Sequence, residues 1–151
     1  MNSPPRSQAR SAARLAAVQA LYQHEMEATP LAKLLDEFHQ HRLGREVDEE
    51  EPLADPEVEF FDDLVRGTIA RQAEIDGLLG TRLAEGWSLA RLDKTLLQVL
   101  RCGTYELLAR PDVPVGSAIS EYVDVAHAFF DEREAKFVNG VLDAVAKAVR
   151  S

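Results

Sequence analysis

Arg6, Arg10 and Arg14 stand four residues apart near the start of the chain. On a helix each step of four drifts by about 40°, so the three guanidinium groups share one edge. Arginine pairs bidentately with phosphate oxygens, and such an edge suits a phosphate backbone. An ordinary solvated face is the blander reading, and spacing alone favours it. A second set of polar groups lies in Lys136-Phe137-Val138-Asn139-Gly140-Val141-Leu142-Asp143. Asn-Gly usually marks a tight hairpin turn. Here Phe137, Val138, Val141, Leu142, Val145 and Val149 recur at helical spacing and predict one apolar stripe. Lys136, Asn139, Gly140 and Asp143 then share the opposite side. A glycine inside a helix costs roughly 1 kcal/mol against alanine, so a polar, bare face implies close approach by a partner. Lys136 can neutralise phosphate, and Asn139 can both donate to and accept from a base edge. Phe137 sits at the margin of the stripe, where core packing competes with exposure of its ring.

Two further groups invite the same weighing. Tyr22, in Gln19-Ala20-Leu21-Tyr22, is either half-buried core or a ligand platform, and core is the commoner role. Arg91, Lys94, Gln98, Arg101 and Tyr105 recur on one side of a long predicted helix, as solvated surface or as a ridge for a protein partner. Enzyme signatures are lacking. No glycine spacing matches a phosphate-cradling loop. His24, His39, His41 and His127 lack metal-ligand spacing, and Cys102 has no second thiol. The expectation is a binding protein with no catalytic residues, metal or cofactor.

Charge distribution supports that class. The net charge is −9, which at first argues against nucleic acid. Yet Glu46 to Asp63 holds ten acidic residues and no basic one, leaving +1 for the remainder. The acid is concentrated in one segment, and from Met1 to Leu15 the only charged side chains are the three arginines. One cysteine fits a reducing compartment. No secretory signal or membrane-length apolar run is visible, so a cytoplasmic protein is expected.

The elements that must hold these residues all read as helices. A first helix is predicted from about Pro5–Gln8 to Ala28, stopped by Pro30, and a second from Leu31 to about Arg42. Gly44 to Pro56 reads as an exposed acidic loop. A third stretch runs from Glu57 to about Leu83, with Gly77 and Gly80 as the places to bend or break. Ser88 is the predicted cap of a helix over Leu89–Ala109, whose Gly103 permits close packing. Pro111 and Pro114 bracket a turn, a helix follows through Phe130, and Asp131 with Glu134 has the spacing of a capping box for the last helix. The fold class is therefore all-α, a bundle of six to seven helices in one domain.

Five segments in order carry a resemblance: Ala17-Val18-Gln19-Ala20-Leu21-Tyr22, Val99 through Leu108, Asp112-Val113-Pro114, Ile119-Ser120-Glu121 and Lys136 through Asp143. Together they closely resemble the NusB family of bacterial transcription antitermination factors, from about Arg10 to about Ala146. The resemblance implies two small helical subdomains, over about 5–83 and 87–150, with the acidic loop at about 44–56. It implies that Arg6, Arg10, Arg14 and Tyr22 on the first helix, with Lys136, Phe137 and Asn139 on the last, contact single-stranded boxA-like RNA. It also implies a ribosomal protein partner, NusE, docked on the C-terminal half, and an indirect role at elongating RNA polymerase. Ser11, Ala12 and Ala13 replace part of the family's denser arginine run, and Leu96-Leu97 replaces its acidic-basic pair. The alternative reading is a helical module that binds only protein, or a self-associating scaffold. The free-standing factor is expected over the NusB-like domain of cytosine methyltransferases.

Overall fold

Apolar residues at helical spacing fold the chain into seven helices among the described residues, with no strand. They are α1 (Arg6–Glu27), α2 (Leu31–His41), α3 (Asp55–Ala70), α4 (Gln72–Gly80), α5 (Lys94–Ala109), α6 (Val115–Phe129) and α7 (Glu132–Val149), with a 3-10 turn at Leu89–Arg91. The computed structural model describes the backbone of residues 6–41 and 55–150 and the side chains of residues 8–40 and 57–150. The acidic loop therefore lies, as far as residue 54, outside the described residues. Two compact units result, Met1–Arg66 and Gly67–Ser151. The division falls inside α3, earlier in the chain than residues 83–87, because α4 packs on α5 and belongs with the second unit.

In the first unit, Ala13, Ala16, Ala17, Val18, Ala20 and Leu21 of α1 are buried, with Leu34, Leu35 and Phe38 of α2 and Phe60, Phe61, Leu64 and Val65 of α3. Phe38 stacks on Phe61 with ring centroids 5.6 Å apart. Beside them, His39 Nε2 and Asp62 Oδ1 lie 2.6 Å apart and tie α2 to α3. The end of α1 carries local strain. Ala28 has φ 54°, and its N–H donates to the carbonyl of His24 at 3.0 Å. This is the left-handed closing position where glycine is preferred. Ala28→Gly is expected to stabilise the chain by about 0.5–1 kcal/mol, read as a rise in thermal midpoint. An unchanged or lower midpoint would show that the strain is relieved elsewhere.

In the second unit α5 is the central rod. All twelve residues from Leu96 to Leu107 are buried, so this helix has no solvent face over that length. Several of its polar groups are bonded inside, while Thr104 Oγ1 has no hydrogen-bond partner among the described residues. Tyr122 on α6 donates its hydroxyl proton to Glu106 Oε1 at 2.8 Å, and Cys102 Sγ lies 3.3 Å from the same hydroxyl. Gly103 lets α5 approach its neighbours: a methyl there would meet Leu142 Cδ1 at 2.8 Å and Tyr122 Cγ at 3.2 Å. Arg150 closes the unit by donating to the carbonyls of Leu107, Arg110 and Val113 at 2.8, 2.8 and 3.0 Å. It thereby satisfies free acceptors at the end of α5 and in the following turn.

Three local expectations are corrected. The stretch after Glu57 breaks at Arg71, not at Gly77, and Gly80 ends α4. Arg71 there donates to both oxygens of Glu74, at 2.9 and 3.0 Å, and that bonding holds the Glu74 carboxyl below its ordinary pKa. Ser88 makes no cap bond to the 3-10 turn; Asp93 caps α5 instead, accepting from the N–H groups of Thr95 and Leu96 at 2.8 and 3.2 Å. Asp131 takes the N-cap position of α7 without a side-chain cap bond.

Candidate nucleic-acid interface

The arginine edge is not the solvated ridge that spacing implied. α1 turns Arg10 and Arg14 onto one aromatic face, with their guanidinium carbons 4.4 and 5.0 Å from the centroid of Phe60. Arg14 is only 4% exposed. A desolvated cation over a ring contributes up to about 2 kcal/mol, so these arginines hold α1 against α3. The side chain of Arg6 lies outside the described residues. On the same helix Tyr22 is 39% exposed and forms no side-chain hydrogen bond among the described residues.

The far set of residues keeps its open face. Lys136, Asn139, Gly140 and Asp143 are all exposed on α7, while Val138, Val141 and Leu142 are buried. Asp143 pairs with Lys147 at 3.2 Å. Lys136 and Asn139 have no side-chain partner among the described residues. A methyl on Gly140 would meet nothing within 4 Å, so packing inside the chain does not require that glycine. Phe137 is half-buried and lines a groove of about 680 Å³ within the second unit. Trp87, Leu92, Leu96 and Phe130 share the lining, with Arg91 and Arg133 balanced by Asp93 and Glu134.

The supposed protein-binding ridge on α5 is dismantled. Arg91 is exposed, beside the groove, and Lys94 is partly exposed. Gln98, Arg101 and Tyr105 are buried and do not form an outer face. Arg101 reaches Asp76 of α4 with two hydrogen bonds of 2.9 Å, Nε to Oδ1 and Nη2 to Oδ2. Tyr105 lays its ring directly on the α-carbon of Gly67, which has no side chain to hold it off.

The groove and the open face of α7 sit on a helical frame that recurs in known proteins. The sequence profile of the NusB family matches residues 11–147. The chain belongs to the NusB family. A relative from Novosphingobium aromaticivorans, Transcription antitermination protein NusB, is 70% identical over 142 residues, covering 94% of this chain and 95% of its own. Among solved structures, a Thermotoga NusB described as T. maritima NusB superposes with a TM-score of 0.78 at 35% identity, over 97% of this chain and 93% of that one. A structure of antitermination factors NusB and NusE in complex with dsRNA gives a TM-score of 0.76 at 27% identity, over 93% of this chain and 98% of that chain. Membership of the NusB family makes this a transcription antitermination factor and not an enzyme. No described helix is long and apolar enough to cross a membrane.

Sequence reasoning passed over the groove. Trp87 is 55% exposed and was readable only as part of a short Gly-Trp-Ser connection. An exposed tryptophan in a connecting segment is itself a binding signal, since that ring is rarely left in water without use. Leu96 lines the same groove.

Proposed function

We propose that this NusB family member binds boxA-type single-stranded RNA of nascent ribosomal transcripts together with NusE, and that the complex supports processive elongation by RNA polymerase. The observation that carries the reading is the open face of α7, where Lys136 and Asn139 are exposed and have no side-chain partner among the described residues, beside a glycine that no contact among those residues requires. An exposed lysine neutralises phosphate, an amide reads a base edge, and a bare helix surface lets a backbone come close. In the first unit, Tyr22 of α1 separately offers an exposed ring for stacking. The relative solved with NusE and dsRNA supports both partners.

NusE is proposed to dock on the groove beside Trp87, Leu92 and Leu96, with Arg91 at its edge, in place of the buried Gln98, Arg101 and Tyr105. A second protein adds contacts and raises the effective concentration of each for the RNA. Fluorescence anisotropy with labelled leader RNA, with and without NusE, tests the proposal. NusE is expected to tighten binding at least tenfold. Lys136→Ala is expected to weaken binding about equally across RNA sequences and to flatten the salt dependence by about one counterion. Indifference to NusE, or a Lys136→Ala protein that binds as wild type, would count against it. Alanine at Arg14 is a poor discriminator, because that side chain packs on Phe60.

A further inference from the structure

Asn139-Gly140 is a dipeptide with chemistry of its own, and Asn139 is the only asparagine in the chain that precedes a glycine. A glycine's backbone nitrogen, with no side chain beside it, readily attacks the amide carbon of a preceding asparagine. A bond from that nitrogen to Cγ forms, the Cγ–Nδ2 bond breaks, and ammonia leaves with the proton the backbone nitrogen gives up. Water then opens the succinimide, at the side-chain carbonyl to give aspartate or at the main-chain carbonyl to give isoaspartate.

The structure decides when that chemistry can run. The site is open to water: both residues are exposed, Asn139 has no side-chain partner among the described residues, and a methyl on Gly140 would meet nothing within 4 Å. Its backbone is closed. Inside α7 the Gly140 N–H is bonded to the carbonyl of Lys136, and ψ is held at about −42°, far from the rotation the attack requires. Val138 and Val141 on either side are buried, with Leu142 and Val145, and α7 packs on α5 and α6. The dipeptide therefore leaves helical geometry only when the core of the second unit opens. Asp76-Gly77 of α4 can close the same ring, but its carboxylate is also held by two 2.9 Å bonds from Arg101. Among the described residues only the helix restrains Asn139.

We infer that Asn139-Gly140 is a deamidation site gated by the opening of α7, and that its products disable the face that carries Lys136. The gating stands by itself; the loss of function rests on the RNA-binding reading above. Aspartate at 139 puts a negative charge one turn from both Lys136 and Asp143, on a surface that meets phosphate. Isoaspartate also inserts a backbone carbon and breaks the hydrogen-bond ladder of the helix. Ring closure is slow beside the opening and closing of the unit, so its rate is the intrinsic rate multiplied by the open fraction. Time spent unfolded is thus recorded irreversibly on the RNA face.

The test incubates the full chain through a urea series at mildly alkaline pH and follows aspartate and isoaspartate at 139 by peptide mass spectrometry. In wild type the rate is expected to follow the unfolded fraction. Gly67→Ala, whose methyl falls on the ring of Tyr105, is expected to react about a hundredfold faster at urea concentrations below its transition. If that chain does not fold at all, it should react at the unfolded rate without urea. Gly140→Ala is expected to slow the unfolded chain about tenfold. A native wild type that reacts as fast as the unfolded chain would overturn the gating, as would a folded Gly67→Ala protein that reacts no faster than wild type. An unfolded chain that stays unmodified would remove the site. Asn139→Asp reproduces one product, and with NusE it is expected to bind leader RNA about tenfold more weakly than wild type at a nearly unchanged thermal midpoint. Full RNA affinity in that variant would overturn the loss of function. A wild type that binds no leader RNA would instead defeat the RNA-binding reading and leave the gated chemistry standing.

Discussion

Gly67→Ala is expected to destabilise the second unit by about 3 kcal/mol or more, lowering the thermal midpoint by roughly 6–12 °C. A β-carbon built on Gly67 falls inside the ring of Tyr105, closest to its Cζ, Cε1 and hydroxyl. The ring must shift to make room. Tyr105 is buried on α5, and Thr104 and Glu106 on either side of it are buried as well. The gain in helix propensity from replacing glycine, at most about 1 kcal/mol, offsets only part of the clash. Gly77→Ala is the matched control, since a methyl there meets nothing within 4 Å and should be neutral to stabilising. Shortening the ring should relieve the clash, so Gly67→Ala with Tyr105→Ala is expected to be less destabilised than the sum of the singles. Thermal denaturation of the four proteins decides the matter. A Gly67→Ala protein as stable as wild type would mean that Tyr105 leaves its seat easily, and would return it to the list of surface residues open to NusE.

Which parts of the fold were legible depended on how far along the chain the deciding contact lay. The stripe around Asn139-Gly140 overrode the turn signal because Val138, Val141, Leu142 and Val145 are local to it, and all four are buried. Gly103 was readable as a packing glycine for the same reason: its helix is apolar on either side. Arg14 was not. Its burial depends on Phe60, 46 positions further on, and nothing in the spacing of three arginines announces a ring waiting on another helix. The ridge on α5 failed similarly. Arg101 and Tyr105 occupy positions that periodicity assigns to the outside, yet Asp76 and Gly67 from earlier segments cover them. A helix surrounded on every side has no outer face for polar residues, and pattern alone does not reveal how many neighbours it has. The candidate site divides along the same line. Lys136 and Asn139 were legible because an amphipathic helix sorts them outward by itself. The groove was not, because Trp87, Leu96, Phe130 and Phe137 come together only once the chain has turned twice.

Asp76→Ala carries the other large effect, about 3 kcal/mol, because it takes the bidentate carboxylate away from a buried guanidinium. Arg101 is 6% exposed, and its two 2.9 Å bonds to Asp76 are made in parallel, the geometry in which an arginine–carboxylate pair is strongest. Removing one member of a buried pair typically costs 3–5 kcal/mol, most of it the penalty of leaving the other charge without its counterion. The Asp76 side chain is 28% exposed, so water reaches the carboxylate and the cost falls at the lower end of that range. Removing both charges is a different operation: Asp76→Leu with Arg101→Met exchanges the pair for apolar groups and is expected to recover much of the loss. Urea denaturation of the two singles and the double gives the coupling directly, and a strong coupling is the expected result. The same proteins separate structure from recognition. If Arg101 serves α4 and α5, the double variant binds NusE as wild type does, while Arg101→Met alone binds less only in proportion to the unfolded fraction. Arg101→Met that keeps its stability and loses NusE would instead place this guanidinium in the interface, and the pair with Asp76 would then be the resting state of a residue that the partner recruits.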